Sequence, residues 1–214
     1  MDLSLHLAGV VTRLALQRTR VLVSIDGPDA AGKTTLADQV VEHLEMPWLR
    51  ASIDGFHQPR VDRAKRGSLS PAGYFHDSFD YAVLTKELLV PFRTGAGTVR
   101  SQAFDWRADA PVERAPTPVP ERAVLVFDGV FLLRPELRGF WDHSIYLRAS
   151  CDVVLGRALV RDVGALGSSD EVRRRYKERY LPGQAIYRAE CDPESYADVV
   201  VDYSDFANPI VVRP

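Results

Sequence analysis

Little in this chain answers to the usual marks of secretion, metal storage or membrane insertion. Its two cysteines, Cys151 and Cys191, have no metal or redox spacing and are too few for a disulfide framework. They are expected to be reduced thiols in a cytoplasmic protein. The five histidines, His6, His43, His57, His76 and His143, are scattered, with no pair at metal-ligand spacing. No apolar run approaches the roughly 18 residues needed to cross a bilayer. Acidic Asp2 stands where a basic leader would begin, so neither a signal peptide nor a membrane partner is expected. A basic excess is missing too: 27 Lys and Arg stand against 29 Asp and Glu, a formal net charge of -2. That balance argues against a nucleic-acid partner. A homo-oligomer is left open.

The 214 residues suit a single domain over 1–214 with a full α/β core. Leu3, Leu7, Val10, Val11 and Leu14 recur at helical spacing, which predicts a helix over 2–17. Further helices are expected over 33–44, 79–92 (ended by Pro91), 151–163 and 169–189. Short apolar runs predict strands at 21–26, 48–53, 123–128, 144–147 and 197–201, with an extended segment over 99–104. Four prolines between Pro111 and Pro120 exclude a central element there. Strands alternating with helices call for a three-layer α/β sandwich: a mostly parallel sheet of about five strands, flanked by helices.

The strongest local signal lies between the first strand and the second helix. Gly27, Pro28, Asp29, Ala30, Ala31, Gly32, Lys33 and Thr34 satisfy G-x-x-x-x-G-K-[ST] at every fixed position, with Thr35 following. Glycines let the backbone curl around phosphates and turn its N–H groups inward. The helix that begins near Lys33 aims its positive end at the same anion. Lys33 neutralises the β- and γ-phosphates, and the Thr34 hydroxyl is suited to Mg²⁺. The expected ligands are therefore Mg²⁺ and ATP, or GTP, in a P-loop NTPase fold.

Two acids follow strands. Asp54 lies just beyond the second strand, where an open parallel sheet faces its ligand, although Asp54-Gly55 would also suit a plain turn. Asp128 ends the strand at 123–128, the place of a metal-anchoring acid, with the same turn reading beside it. Arg157 and Arg161 lie four apart on one helical face, placed to close over a triphosphate or simply to meet solvent.

The acceptor side is read from the loop near 54–78, which carries His57, Arg60, Arg63, Lys65, Arg66, Tyr74, His76 and Asp77. Such a loop can fold over an acceptor and offer cations to its anionic groups. Trp106 is either a stacking face for a base or a core residue, and Asp105 and Arg107 form a polar pair suited to hydroxyls.

These residues resemble the uridine kinase-like branch of the P-loop kinases, whose relatives include pantothenate kinase and phosphoribulokinase. The likeness runs through Ile25-Asp26-Gly27 and the loop to Thr35, Ile53-Asp54-Gly55-Phe56-His57, Asp77-Ser78-Phe79-Asp80, Phe104-Asp105, Val126-Phe127-Asp128-Gly129, the run from Leu155 to Asp162, and Tyr196 to Val200. The resemblance implies that Asp54 is the general base, Lys33 and Arg161 clamp phosphate, and Thr34 and Asp128 anchor Mg²⁺. It also implies a lid near 157–180. The chain departs from the family pattern on the acceptor side. No histidine follows the Phe104-Asp105-Trp106 run, Tyr74 stands where an aspartate is expected, and Leu166-Gly167-Ser168 replaces an Arg-Gly-Arg lid tip. The expected activity is phosphoryl transfer from ATP to a hydroxyl of a small molecule, a uridine- or cytidine-like nucleoside first. A pantothenate-like or sugar acceptor, or a regulatory NTPase without an acceptor, is the alternative.

Overall fold

The computed structural model describes residues 2–213. Asp2 opens helix α1 (Leu3–Gln17) by accepting the backbone N–H of Ser4 at 2.9 Å, which satisfies a donor that a helix start leaves unpaired. Strand β1 (Arg20–Asp26), helix α2 (Lys33–Glu42) and strand β2 (Trp48–Ser52) follow. Helix α3 (Pro71–Asp77) and a helix over 81–93, α4, come next. The proline-rich stretch forms only two-residue pairings. Phe104–Asp105 pairs with Ala110–Pro111, and Thr98–Val99 with Thr117–Pro118. Strands β3 (Ala123–Gly129) and β4 (His143–Arg148), helix α5 (Cys151–Arg161), a helix over 169–191 (α6), and strands β5 (Val199–Asp202) and β6 (Ile210–Arg213) complete the order.

Three features depart from the sequence expectation. Among the described residues the main sheet has six strands, because β6 adds an antiparallel edge to β5. The extended segment over 99–104 is broken, since Val99 and Phe104 pair with different partners. Helix α4 also runs past Pro91. A proline ring clashes with the carbonyl four residues back, and the helix absorbs it by widening one turn: Val90 N–H reaches the Thr85 carbonyl, five residues away. Helix α6 does the same ahead of Pro182, where Leu181 N–H bonds to Tyr176.

The sheet order is β6-β5-β4-β1-β3-β2, parallel apart from β6. β1 and β3 are buried along their whole length, so both faces must be covered by helices. On one face Val21, Val23, Ile25, Val124 and Val126 join Leu7 and Val11 of α1 and Leu36 and Val40 of α2. On the other, Leu22, Leu125 and Phe127 join Leu84, Leu88 and Phe92 of α4 and Tyr187 of α6. Each such side chain contributes about 1.5–3 kcal/mol by leaving water. In register, Asp26 lies opposite Gly129 and Tyr146, and Ser52 lies opposite Asp128. The strand ends are therefore level. The loops leaving β1, β2 and β3 meet at one edge, where an open α/β sheet forms its ligand crevice.

Candidate active site

The loop from Gly27 to Thr34 leaves β1 at this edge. Gly27 has φ +150°, and a Cβ there would stand 2.6 Å from the Leu147 carbonyl oxygen. Gly32 has φ +95°, beside the Phe206 ring. Conformation demands glycine at both positions, and at Gly27 the backbone of Leu147 leaves no room for a side chain either. Helix α2 starts directly after Gly32, so its unpaired N–H groups line the loop. Lys33 is buried, and its Nζ donates to the Pro28 carbonyl at 2.6 Å. Burial pushes its pKa down, while Asp29, Asp128, Asp26 and Asp54 oppose that shift. A buried ammonium inside a ring of amides is an anion cradle, and it fits a phosphate chain.

Sequence reading missed the residue that anchors this loop. Asp26 is wholly buried, and its Oδ1 accepts the Gly27 N–H at 2.6 Å. Its Oδ2 accepts the N–H groups of Leu132 and Leu133 and the Tyr187 hydroxyl at 2.5 Å. Those amides converge because Phe131 takes a left-handed φ of 66°, which turns successive N–H groups toward one point. Burial raises the Asp26 pKa to about 6, against these hydrogen bonds and Lys33. Its place directly before Gly27 was the available signal.

Thr34 and Asp128 meet: Thr34 Oγ1 donates to Asp128 Oδ2 at 2.7 Å. Asp128 also takes Arg50 Nη2 at 2.9 Å, and Arg50 binds Asp38 through Nε. Arg50 carried no sequence signal because its role depends on β2 lying beside β3. Among the described residues no group of three His, Cys, Asp or Glu could cage a metal. The Thr34–Asp128 pair beside the phosphate cradle instead fits Mg²⁺, which commonly keeps one or two protein ligands and takes the rest from phosphate and water.

Asp54 stands across the cleft in the helical turn Ile53–Phe56. Gly129 lets this turn approach, since a Cβ there would lie 2.4 Å from Ile53 Cγ2. Asp54 is exposed to solvent at the edge where the strand-end loops meet. Desolvation by the surrounding protein, reinforced by Asp128, raises its pKa to about 6 against the pull of Lys33. Among the described residues its carboxylate makes no hydrogen bond, whereas Asp26, Asp29 and Asp128 are all engaged. A carboxylate so placed is available to a hydroxyl.

The arginines divide by location. Arg161 forms a two-point pair with Asp162, at 2.6 and 3.1 Å, and reaches the Tyr176 hydroxyl at 3.2 Å. Arg157 binds the carbonyls of Tyr203 and Ser204 and lies over the Phe206 ring, 3.5 Å from its centroid. It ties the loop after β5 to the Gly32 end of the phosphate loop and so sits away from Asp54. Ser168 caps α6 and Gly167 closes the preceding turn at φ +91°. Arg174 and Arg175 are held by Glu171, so these two cations are already engaged.

The acceptor-side candidates divide likewise. His57 donates Nδ1–H to the Asp54 carbonyl at 3.0 Å, leaving Nε2 as an acceptor. Burial pushes its pKa down to about 4, so the ring is neutral near pH 7. It packs on Phe79 at 4.6 Å and Trp106 at 5.9 Å between centroids, and Arg107 covers the other part of Trp106 at 4.4 Å. Asp105 is used in its own turn, where it accepts Arg107 N–H and Ala108 N–H. Asp77 pairs with Arg66, and the Arg60 side chain is exposed while its backbone N–H binds Asp109. Tyr74 is buried and donates to Asp29 of the phosphate loop.

A phosphate loop leaving the central strand of this sheet, with its helix and the acids at the neighbouring strand ends, is the architecture of a P-loop kinase. The chain matches the family model for "Phosphoribulokinase / Uridine kinase family" over residues 22–204, and it belongs to that family. It is thus a kinase that passes phosphate to a hydroxyl group. It is 26% identical over 185 residues to uridine-cytidine kinase A of Dictyostelium discoideum and spans 36% of that protein's length, with 85% of this chain aligned. It is also 26% identical over 198 residues to a uridine kinase of Aeromonas salmonicida, covering 86% of this chain and 87% of the relative. A solved structure described as a possible uridine kinase from Bacillus stearothermophilus superposes with a TM-score of 0.68 at 22% identity, over 91% of this chain and 98% of the other.

Proposed function

We propose that this chain is an ATP- and Mg²⁺-dependent kinase that phosphorylates a hydroxyl of a small polyhydroxylated acceptor, with a uridine- or cytidine-like nucleoside as the first candidate. The observation that carries this reading is the unpaired Asp54 carboxylate, close enough to buried Lys33 for each charge to act on the other. In the reaction, the acceptor oxygen forms a bond to the γ-phosphorus, the bond to the bridging oxygen breaks, and the acceptor proton passes to Asp54. Asp54, with a pKa of about 6, is mostly ionised at pH 7 and can accept it. Lys33, the amides of the loop and Arg161 would balance the charge on the phosphoryl oxygens. Thr34 and Asp128 would hold Mg²⁺, which supplies charge neutralisation between the phosphates.

The names of the relatives support a nucleoside, and the acceptor wall supports a second reading. With Asp105 committed to its turn and His57 neutral, a sugar or pantothenate-like acceptor suits the same scaffold. The test is ATP turnover by the purified full chain with and without uridine, cytidine, D-ribose, D-fructose, D-glycerate and pantothenate. Phosphorylated product from at least one acceptor, abolished by EDTA, is expected. ATP hydrolysis that none of them stimulates would sink the reading.

A further inference from the structure

The phosphate loop contains a carboxylate that its own ligand would repel. Asp29 sits inside the cradle, near enough to Lys33 that it is the leading opposing charge on that ammonium. A negative side chain is tolerable there if it is held away from the phosphates. The Tyr74 hydroxyl lies 2.9 and 2.7 Å from the two Asp29 oxygens, and Gln184 Nε2 approaches Oδ2 at 3.4 Å. Both partners belong to helices outside the phosphate cradle, α3 and α6. Asp29 therefore faces the side on which the acceptor must bind. Asp54 is close enough to feel the Asp29 carboxylate, which is among the like charges that raise its pKa.

This arrangement is built rather than incidental. The Tyr74 ring is fixed edge-on by Phe131 and Tyr180, each at 5.0 Å between centroids. It also lies in a notch that only glycine leaves open: a Cβ on Gly183 would stand 2.6 Å from Tyr74 Cδ1. Gln184 is 1% exposed, and its Oε1 has no hydrogen-bond donor among the described residues. A carboxylate accepts about four hydrogen bonds, and Asp29 has two donors. The free lone pairs of Asp29, Tyr74 and Gln184 Oε1 are acceptors, so they are complemented by a group that donates. An ammonium would meet repulsion from Lys33 and Arg161, while a neutral hydroxyl would not.

We infer that Asp29, positioned by Tyr74 and Gln184, binds a second hydroxyl of the acceptor and selects acceptors that carry one beside the reacting hydroxyl. The inference rests on the kinase reading above and specifies its acceptor as a diol or polyol.

The experiment measures kcat and KM for the best acceptor of the panel against its deoxy counterparts, for example uridine against 2′-deoxyuridine and 3′-deoxyuridine. A site built to hydrogen-bond a hydroxyl disfavours the analogue lacking it by about a hundredfold or more in kcat/KM. Asp29→Asn should raise the acceptor KM about tenfold or more and erase most of that discrimination, while the ATP KM moves the other way, downward, because a negative charge beside the phosphates is removed. Tyr74→Phe, which keeps the ring packing, should move the acceptor KM and the discrimination in the same direction by less, and it serves if Asp29→Asn does not fold. An active wild type whose acceptor KM and discrimination are untouched by both variants would overturn the inference alone. Equal losses in acceptor and ATP KM would do the same. A wild type that phosphorylates nothing in the panel overturns the kinase reading and this inference with it.

Discussion

Asp54 is the residue whose chemistry is most directly checkable. Only its ionised form can take a proton, so activity should fall as pH drops through about 6 in kcat/KM for ATP, which reports the free enzyme. His57, neutral above about 4, adds nothing in that range. Asp54→Asn should lower kcat by about 10²–10⁴ while leaving ATP affinity nearly unchanged, and the residual activity should lose the acid limb. If the limb persists in the variant, it belongs to another group, with Asp26 the first suspect. Much of this site was legible in the residues because the chemistry is local. Gly27 to Thr34 sit in one loop, Asp54 follows the second strand, and Asp128 lies at the end of a strand recognisable by its apolar run. The acceptor wall was less legible, because an exposed-looking polar residue does not announce its partner. Asp105 turned out to cap its own turn and Asp77 to hold Arg66, whereas Tyr74, aromatic and easily taken for core, reaches the phosphate loop.

At the scale of elements, the cleft depends on how closely β3 and the turn after β2 approach. Gly129 permits that contact, with Ile53 Cγ2 2.4 Å from where a Cβ would be. Gly129→Ala should cost about 1–3 kcal/mol by overpacking and lower Tm by several degrees. It should also reduce activity by displacing Asp54. Combined with Ile53→Ala, itself destabilising, the Tm loss should be smaller than the sum of the two single losses in thermal denaturation; additive losses would place the strain elsewhere. Such contacts lie outside what periodicity can reveal, and so do the widened turns ahead of Pro91 and Pro182. Proline in a helical pattern signals an end, and both helices continue because one turn takes an extra residue instead. The strand order was equally out of reach, although the parallel α/β class followed from the alternation of elements.

At the scale of the whole molecule, Asp26 is the junction. Its native pKa of about 6 lies above the ordinary 3.8, so the folded state holds this proton more tightly than the unfolded one. That contribution is complete below pH 3.8 and is lost as pH rises through 6. Relative to Asp26→Asn, the wild type should therefore lose about 2 kcal/mol of stability between pH 4 and 6.5. Urea titrations at a series of pH values would show this, and parallel curves for the two proteins would refute it. The same carboxylate also sets an order in time. Its last partner, Tyr187, lies 161 residues downstream, so a chain growing from its N-terminus makes the phosphate loop early and secures it late. Residues 132 and 133 must arrive first, then helix α6. Until that helix emerges and docks, the nascent chain has a nucleotide-binding sequence but not the finished support beneath it.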